Sequence, residues 1–245
     1  EALGASKKKR MILVHPFNDP FVIAGQGTVG AEIMGQISAK GGKEKIDFVV
    51  VPIGGGGLAA GILIAIKTKN PKVKVIGVQS KSFPAMKNSF DSGKLQSGIG
   101  DRTIADGISV KNPGKTTFKI INDLIDDIVL VDDTQIIKTM FLLMERAKMV
   151  VEPAGAVSLA YLLKAKPSPR KKVVPILAGG NVDMYLLGQI VAKGLTNMGR
   201  MIKIFILLPD KPGALKEVVD EIATLNANIV EVVHDRLSSK VPAGS

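Results

Sequence analysis

VVVPIGGGGLAAGI, residues 49 to 62, runs from an apolar stretch through a proline into four consecutive glycines and then a helical pattern. Adjacent glycines cost conformational entropy on folding, so the run implies a close approach to the backbone. A strand, a turn without side chains and a helix start together make an anion site, because main-chain N–H groups and the helix N-terminus point at one place. Gly54, Gly56 and Ala59 also satisfy the dinucleotide pattern G-x-G-x-x-A. That reading requires an acid at the end of the next strand to hold a ribose hydroxyl. Here that strand ends Val78-Gln79-Ser80. No Gly-Lys-Ser/Thr follows the glycines either, which rules out the P-loop pattern. Tight strand–helix packing alone needs fewer glycines than this. The stretch reads as a cradle for a single phosphate monoester.

The composition narrows what the cradle serves. A chain of 245 residues suffices for one large domain, or one medium and one small. Its formal net charge of +11 invites a nucleic-acid reading. Against it, the lysines are scattered, aromatic residues make up only 4%, and no nucleic-acid signature occurs. An anionic small ligand uses positive potential as well. The one tight cluster, Lys7, Lys8, Lys9 and Arg10, reads as a solvated helix end. The absence of cysteine removes disulfides, thiolate catalysis and cysteine-ligated zinc together, and fits a reducing cytoplasm. No apolar run reaches membrane-spanning length, and the basic N-terminal cluster lacks the apolar region of a signal peptide.

Around the glycines the pattern alternates strand and helix. Ile12 to Val14 reads as a short strand, and Gly25 to Lys40 as a helix closed by Gly41 and Gly42. Phe48 to Ile53 and Val73 to Val78 read as strands buried on both faces of a parallel sheet, joined by a helix over Leu58 to Lys69. Such a unit crosses over right-handed. Residues 80 to 115 read as irregular except for a short helix over Ala85 to Ser92. An irregular stretch of that length inside a domain points to function. Helices follow over Asp132 to Met149 and Pro153 to Lys164, then a strand over Val173 to Leu177, Gly179-Gly180-Asn181, and a helix to about Lys193. After a break at Gly194 to Arg200 a second rhythm begins: strand Ile202 to Leu208, helix Ala214 to Leu225, strand Asn228 to Val233. A β-α-β piece this small cannot bury its sheet face alone.

Five motifs in order carry a resemblance: HPFNDP with VIAGQGT (15–20 and 22–28), VPIGGGGL (51–58), TIADGI (103–108), VEPAGA (151–156) and LAGGNVD (177–183). They resemble serine/threonine dehydratases, pyridoxal-phosphate enzymes of the tryptophan-synthase-β type, over roughly residues 11 to 190. LPDKPGAL (208–215) and ANIVEVVHDR (227–236) resemble an ACT module, a small amino-acid sensor. The resemblance implies an α/β fold: a three-layer αβα domain of PLP fold-type II over residues 1–196, followed by a small α+β ACT-like domain over 197–245, both incomplete. It also implies a pyridoxal 5'-phosphate cofactor and β-elimination. The substrate joined to the cofactor loses its α-proton and then its β-hydroxyl, and the released enamine hydrolyses to a 2-oxo acid and ammonia. L-threonine or L-serine would be the substrate, an amino acid the effector, and a homodimer or homotetramer the assembly.

By the same resemblance, main-chain N–H groups of Gly54, Gly55, Gly56, Gly57 and Leu58 would hold the phosphate. Phe17 would lie near the cofactor, although core packing explains it equally well. Asp106 and Gly107 would line the wall beside the ring, or form an ordinary turn. Glu152, just before Pro153, would either cap its helix or stand near the ring. Pro212, Gly213 and Ala214 would receive the effector, or form an ordinary tight turn. His15 and His234 read as strand-end residues rather than catalysts.

Three departures qualify the likeness. The family's Schiff-base lysine lies in a Ser-x-Lys-x-Arg-Gly segment that this sequence lacks, so no catalytic lysine is assigned, and an N-terminal part is expected to be missing. Ala178 stands where the family places Ser or Cys against the pyridine nitrogen, and a methyl group neither donates nor accepts. The serine-racemase branch binds a divalent cation through acids where this chain has Gln79 and Ala85, so no metal is expected. A non-catalytic amino-acid-sensing protein and a serine racemase-like enzyme are the alternatives.

Overall fold

The computed structural model describes Gly4, residues 11–39 and residues 45–234. The basic cluster Lys7, Lys8, Lys9 and Arg10, the helix-closing Lys40, Gly41 and Gly42, and Asp235 and Arg236 of the second unit's last motif lie outside the described residues. The chain divides into two compact units, before and after the Arg200–Met201 bond.

The first unit is built on four parallel strands, β1 (Phe48–Pro52), β2 (Lys74–Ser80), β3 (Asp127–Val131) and β4 (Val173–Pro175), in the order β3-β2-β1-β4. Side chains alternate across the sheet and feed two cores. Val49, Val51, Val75 and Ile128 enter one core with Ile62, Leu63 and Ile66 of α2 (Gly57–Lys69) and Ile121 of α4 (Lys115–Leu124). Val50, Val78 and Val131 enter the other with Ile136 and Met140 of α5 (Asp133–Leu142), Val157 of α6 (Pro153–Ala165) and Ile190 of α7 (Met184–Asn197). The result is helix, sheet, helix. The chain steps outward from β1 to β2 to β3 and then returns to the far side of β1, so the order reverses between β1 and β4. In open parallel sheets, the crevice at the carboxyl ends of the strands at such a reversal is where ligands bind.

The helices start where the sequence supplies caps. Asp19 Oδ1 accepts from the N–H of Phe21 (2.8 Å), so α1 (Pro20–Ala39) begins earlier than the expected Gly25, with Pro20 at its first position. Asp132 and Gln135 form a reciprocal capping box at α5. The helix expected over Asp132 to Met149 is shorter: α5 ends at Leu142 and widens into a π-helical turn, Leu143–Ala147. The short helix α3 spans Ala85–Ser92, as expected. Helix α4 and strand β3 occupy a region the sequence reading left without elements. Among the described residues no helix is long and apolar enough to cross a membrane.

Three expected strands are absent among the described residues. Ile12 to Val14 pairs with no strand, and Ile12 and Val14 stand exposed, because no described neighbour offers a ladder. Among the described residues of the second unit only α8 (Ala214–Thr224) forms; Ile202 to Leu208 and Asn228 to Val233 do not pair. Phe205 and Val230 are exposed. Two strands without further cover gain too little burial to offset their ordering.

Helices α1 and α2 meet backbone to backbone. A Cβ on Gly61 would stand 2.3 Å from the Ile23 carbonyl oxygen and 2.5 Å from the Gly27 nitrogen. Gly61→Ala is therefore expected to cost about 1–3 kcal/mol by forcing the helices apart. Gly25→Ala, with nothing within 4 Å, should gain about 0.5–1 kcal/mol. Urea unfolding of the two variants checks both signs. At the opposite edge, Asp47 accepts from Lys171 Nζ (2.9 Å) and from the Lys172 N–H (2.9 Å). The Lys171 hydrogen bond first, and that of Lys172 next, hold its carboxyl below the usual carboxylate range. A depressed acid stabilises the fold above the unfolded group's range and loses that contribution as pH falls through the folded value. Asp47→Asn should thus lower the melting temperature at neutral pH, with the gap closing in acid.

Candidate active site

The loop after β1 lies at the sheet reversal. Gly56 has φ +96° and precedes the first residue of α2, a conformation that admits glycine far more readily than any residue with a Cβ. A Cβ on Gly55 would stand 2.3 Å from the Phe17 ring, and one on Gly57 3.0 Å from Phe17 Cα. One on Gly54 would stand 3.0 Å from Ile108 Cα. Side chains are thus excluded from the whole run by the segments that converge on it.

Among the described residues, the main-chain N–H groups of Gly54 through Leu58 donate to no carbonyl or side chain. Gly55, Gly56 and Gly57 are nevertheless buried. Buried donors without partners mark a place for an acceptor, and the start of α2 adds its positive dipole end. The residues present therefore fit a phosphate group.

Two segments hold the loop on one side, the start of α4 and the His15–Asn18 turn. The Thr117 hydroxyl, fully buried, donates to the Gly55 carbonyl (2.7 Å). Asn18 Oδ1 accepts from the Thr116 N–H (2.9 Å) and fixes the start of α4 against the turn that carries Phe17. His15 Nδ1 accepts from the Asn18 N–H (3.2 Å), and its ring meets Phe17 edge-on at 4.5 Å. His15 is thus a turn residue, not the strand end expected of it. His234 is exposed in the second unit. Nothing local in the sequence marks Thr117 or Asn18 for this role: Asn18 lies in HPFNDP, but its partner is 98 residues away.

The opposite wall comes from Asp106–Ile108, a short 3-10 turn, and from the loop after β4. Asp133 accepts from the Thr103 hydroxyl (2.6 Å) and the Ile104 N–H (3.0 Å) and so anchors that turn. Asp106 is exposed, and its carboxylate accepts from the Gly107 N–H (2.8 Å). A Cβ on Gly107 would stand 3.0 Å from Ala154 and 3.4 Å from Glu152 Oε1. The Ala178 carbonyl lies so close to Gly155 that a Cβ there would meet it at 1.8 Å. Phe17, the glycine run, Gly107, Glu152 and Ala178 thus form one continuous neighbourhood, with Asp106 at its rim. Gln79 lies apart from these contacts: it is fully buried, and its Oε1 accepts from the Lys87 N–H (2.8 Å) at the start of α3. Pro212 and Gly213 are exposed, Gly213 (φ +94°) preceding α8, while Ala214 is buried.

Residues 2–179 match the family described as "Pyridoxal-phosphate dependent enzyme", and the chain belongs to that family. It is 44% identical to the L-threonine ammonia-lyase of Thermotoga maritima over 243 residues, covering 99% of this chain and 59% of that protein. A crystal structure of the threonine deaminase from T.th. is similar with a TM-score of 0.70 at 36% identity, over 74% of this chain and 66% of that one. Maize serine racemase is similar with a TM-score of 0.69 at 34% identity, over 80% and 60%. The chain thus spans 59% of the length of the Thermotoga relative.

Removing the Thr117 hydroxyl isolates the loop's support. Thr117→Val leaves the Gly55 carbonyl only the longer bond from the Gly114 N–H (3.5 Å) and should cost about 1 kcal/mol. Hydrogen exchange should show Gly54 to Leu58 opening more than the sheet.

Proposed function

We propose that this protein is a pyridoxal-phosphate threonine (or serine) dehydratase, converting L-threonine to 2-oxobutanoate and ammonia. The observation that carries the reading is the cradle of unengaged N–H groups at Gly54 to Leu58, in a chain similar to proteins named L-threonine ammonia-lyase. Bound pyridoxal phosphate supplies the electron sink for loss of an amino acid's α-proton. In this reading Gly54, Gly55, Gly56, Gly57 and Leu58 bind its phosphate through main-chain N–H groups. Phe17 shields the loop from water, Asp106, Gly107 and Glu152 line the wall beside the ring, and the Ala178 methyl leaves the ring nitrogen without a partner. No lysine is assigned to the α-proton, since none lies in a Ser-x-Lys-x-Arg-Gly segment.

The second unit belongs to the proposal in finer form. Residues 1–196 would be catalytic and 197–245 an ACT-like regulatory unit, with an amino acid held at Pro212, Gly213 and Ala214. The left-handed Gly213, with open space where a Cβ would stand, supports a close approach there. A cytoplasmic homodimer or homotetramer completes the reading.

The test is direct. The full-length protein with pyridoxal phosphate should absorb in the visible range and release 2-oxobutanoate and ammonia from L-threonine in equal amounts. A colourless protein without turnover would overturn the reading, and racemised serine without ammonia would replace it with a racemase.

A further inference from the structure

Glu152 occupies the N-cap position of α6, immediately before Pro153, and its side chain makes no cap bond to its own helix. Instead Oε2 accepts from the Asn181 N–H (3.2 Å), while the Glu152 N–H donates to the Gly179 carbonyl (3.2 Å). These two bonds of opposite sense close a ring between Glu152 and the loop after β4. The carboxylate fills the place where Gly179, with φ +85°, would otherwise carry a side chain: a Cβ there would lie 2.3 Å from Oε1 and 2.7 Å from Oε2. Oε1 also faces Gly107, 3.4 Å from the position of its absent Cβ. Among the described residues Oε1 accepts no hydrogen bond.

The side chain therefore stands as a spacer between two walls. On one side is the Asp106–Ile108 turn, which packs on Gly54 through Ile108; on the other is the loop carrying Ala178 and Gly179. We propose that Glu152 is a positioning residue, whose carboxylate holds the loop after β4 at a fixed distance from the turn that backs the glycine cradle. The proposal rests on the reading that this neighbourhood is the cofactor site. Since Ala178 offers the ring no hydrogen bond, the ring's placement falls to the shape of the wall, and Glu152 sets that shape.

The experiment compares Glu152→Ala and Glu152→Gln in the full-length protein. Glu152→Ala should speed hydrogen exchange across Gly179 to Asp183 and raise the dissociation constant for pyridoxal phosphate by about tenfold, the worth of one charge-assisted hydrogen bond. The melting temperature of the cofactor-free protein should fall by only a few degrees, since the same bond is already formed there. Glu152→Gln, which keeps a weaker acceptor, should fall between wild type and Ala on both measurements. Wild-type exchange at Asn181 in a folded Glu152→Ala variant overturns the proposal. If that variant does not fold, Glu152→Gln decides, and unaltered protection at Asn181 overturns it equally. A wild-type protein that binds no pyridoxal phosphate refutes the cofactor reading instead, and the exchange comparison still decides the clamp.

Discussion

The site depends on one steric constraint: the Phe17 ring lies against Gly55, in space that any Cβ would occupy. Because the glycine run has no side chains, three segments distant in sequence can close on it: the His15–Asn18 turn, the Ile108 turn and the start of α4. Closure buries the loop while leaving its N–H groups unengaged. Protein interiors are close-packed, so the loop cannot relax into a self-bonded turn without displacing Phe17 or Thr117. The entropic cost of adjacent glycines is therefore offset by packing around the loop, and the donors stay unengaged.

The sheet places that loop where it can be used. The loop follows β1, and the Glu152-clamped loop follows β4, the neighbouring strand across the point of reversal. Both strands run parallel and end on the same side. Their following loops thus face each other without either being long. The two cores fix this relation, with Val49 and Val51 locking β1 to α2 while Val50 locks it to the α5–α6–α7 layer. The alternation of side chains along β1 therefore sets the geometry of both walls.

What the sequence allowed one to read followed from local signals. The strand, glycine run and helix at residues 48 to 69 declare themselves by composition alone, and β2 by its apolar run. Helix α4 escaped because it is short and starts after Gly114 without a capping side chain, although its spacing buries Thr117 and Ile121. Strand β3, Asp127-Ile-Val-Leu-Val, is short and acidic at its start, and only its pairing with β2 marks it as sheet. The strands expected in the second unit failed for the opposite reason: their apolar pattern is strong, but no described partner strand is there to pair with them. At the site, the motifs located Phe17, Gly107, Glu152 and Ala178 along the chain. Their mutual contacts were invisible because they depend on separations of tens of residues. Glu152 shows the limit most clearly, since the sequence offered a helix cap and the carboxylate turned away to the neighbouring loop.

If the glycine run holds a phosphate as proposed, the net charge of +11 has little to do with it. Residues 49 to 62 contain no lysine or arginine. A lysine would bring a full charge, but it carries about 2 kcal/mol of rotamer entropy, and ordering it on a ligand surrenders part of that. Main-chain N–H groups held by packing are already ordered, so they bring only partial charges yet lose nothing further on binding. A buried cradle of this kind would also select shape, favouring a compact group with several acceptor oxygens over a diffuse anion. That is why a backbone signature, rather than a basic patch, was the informative feature of this sequence, and why the lysines scattered over the helices did not obscure it.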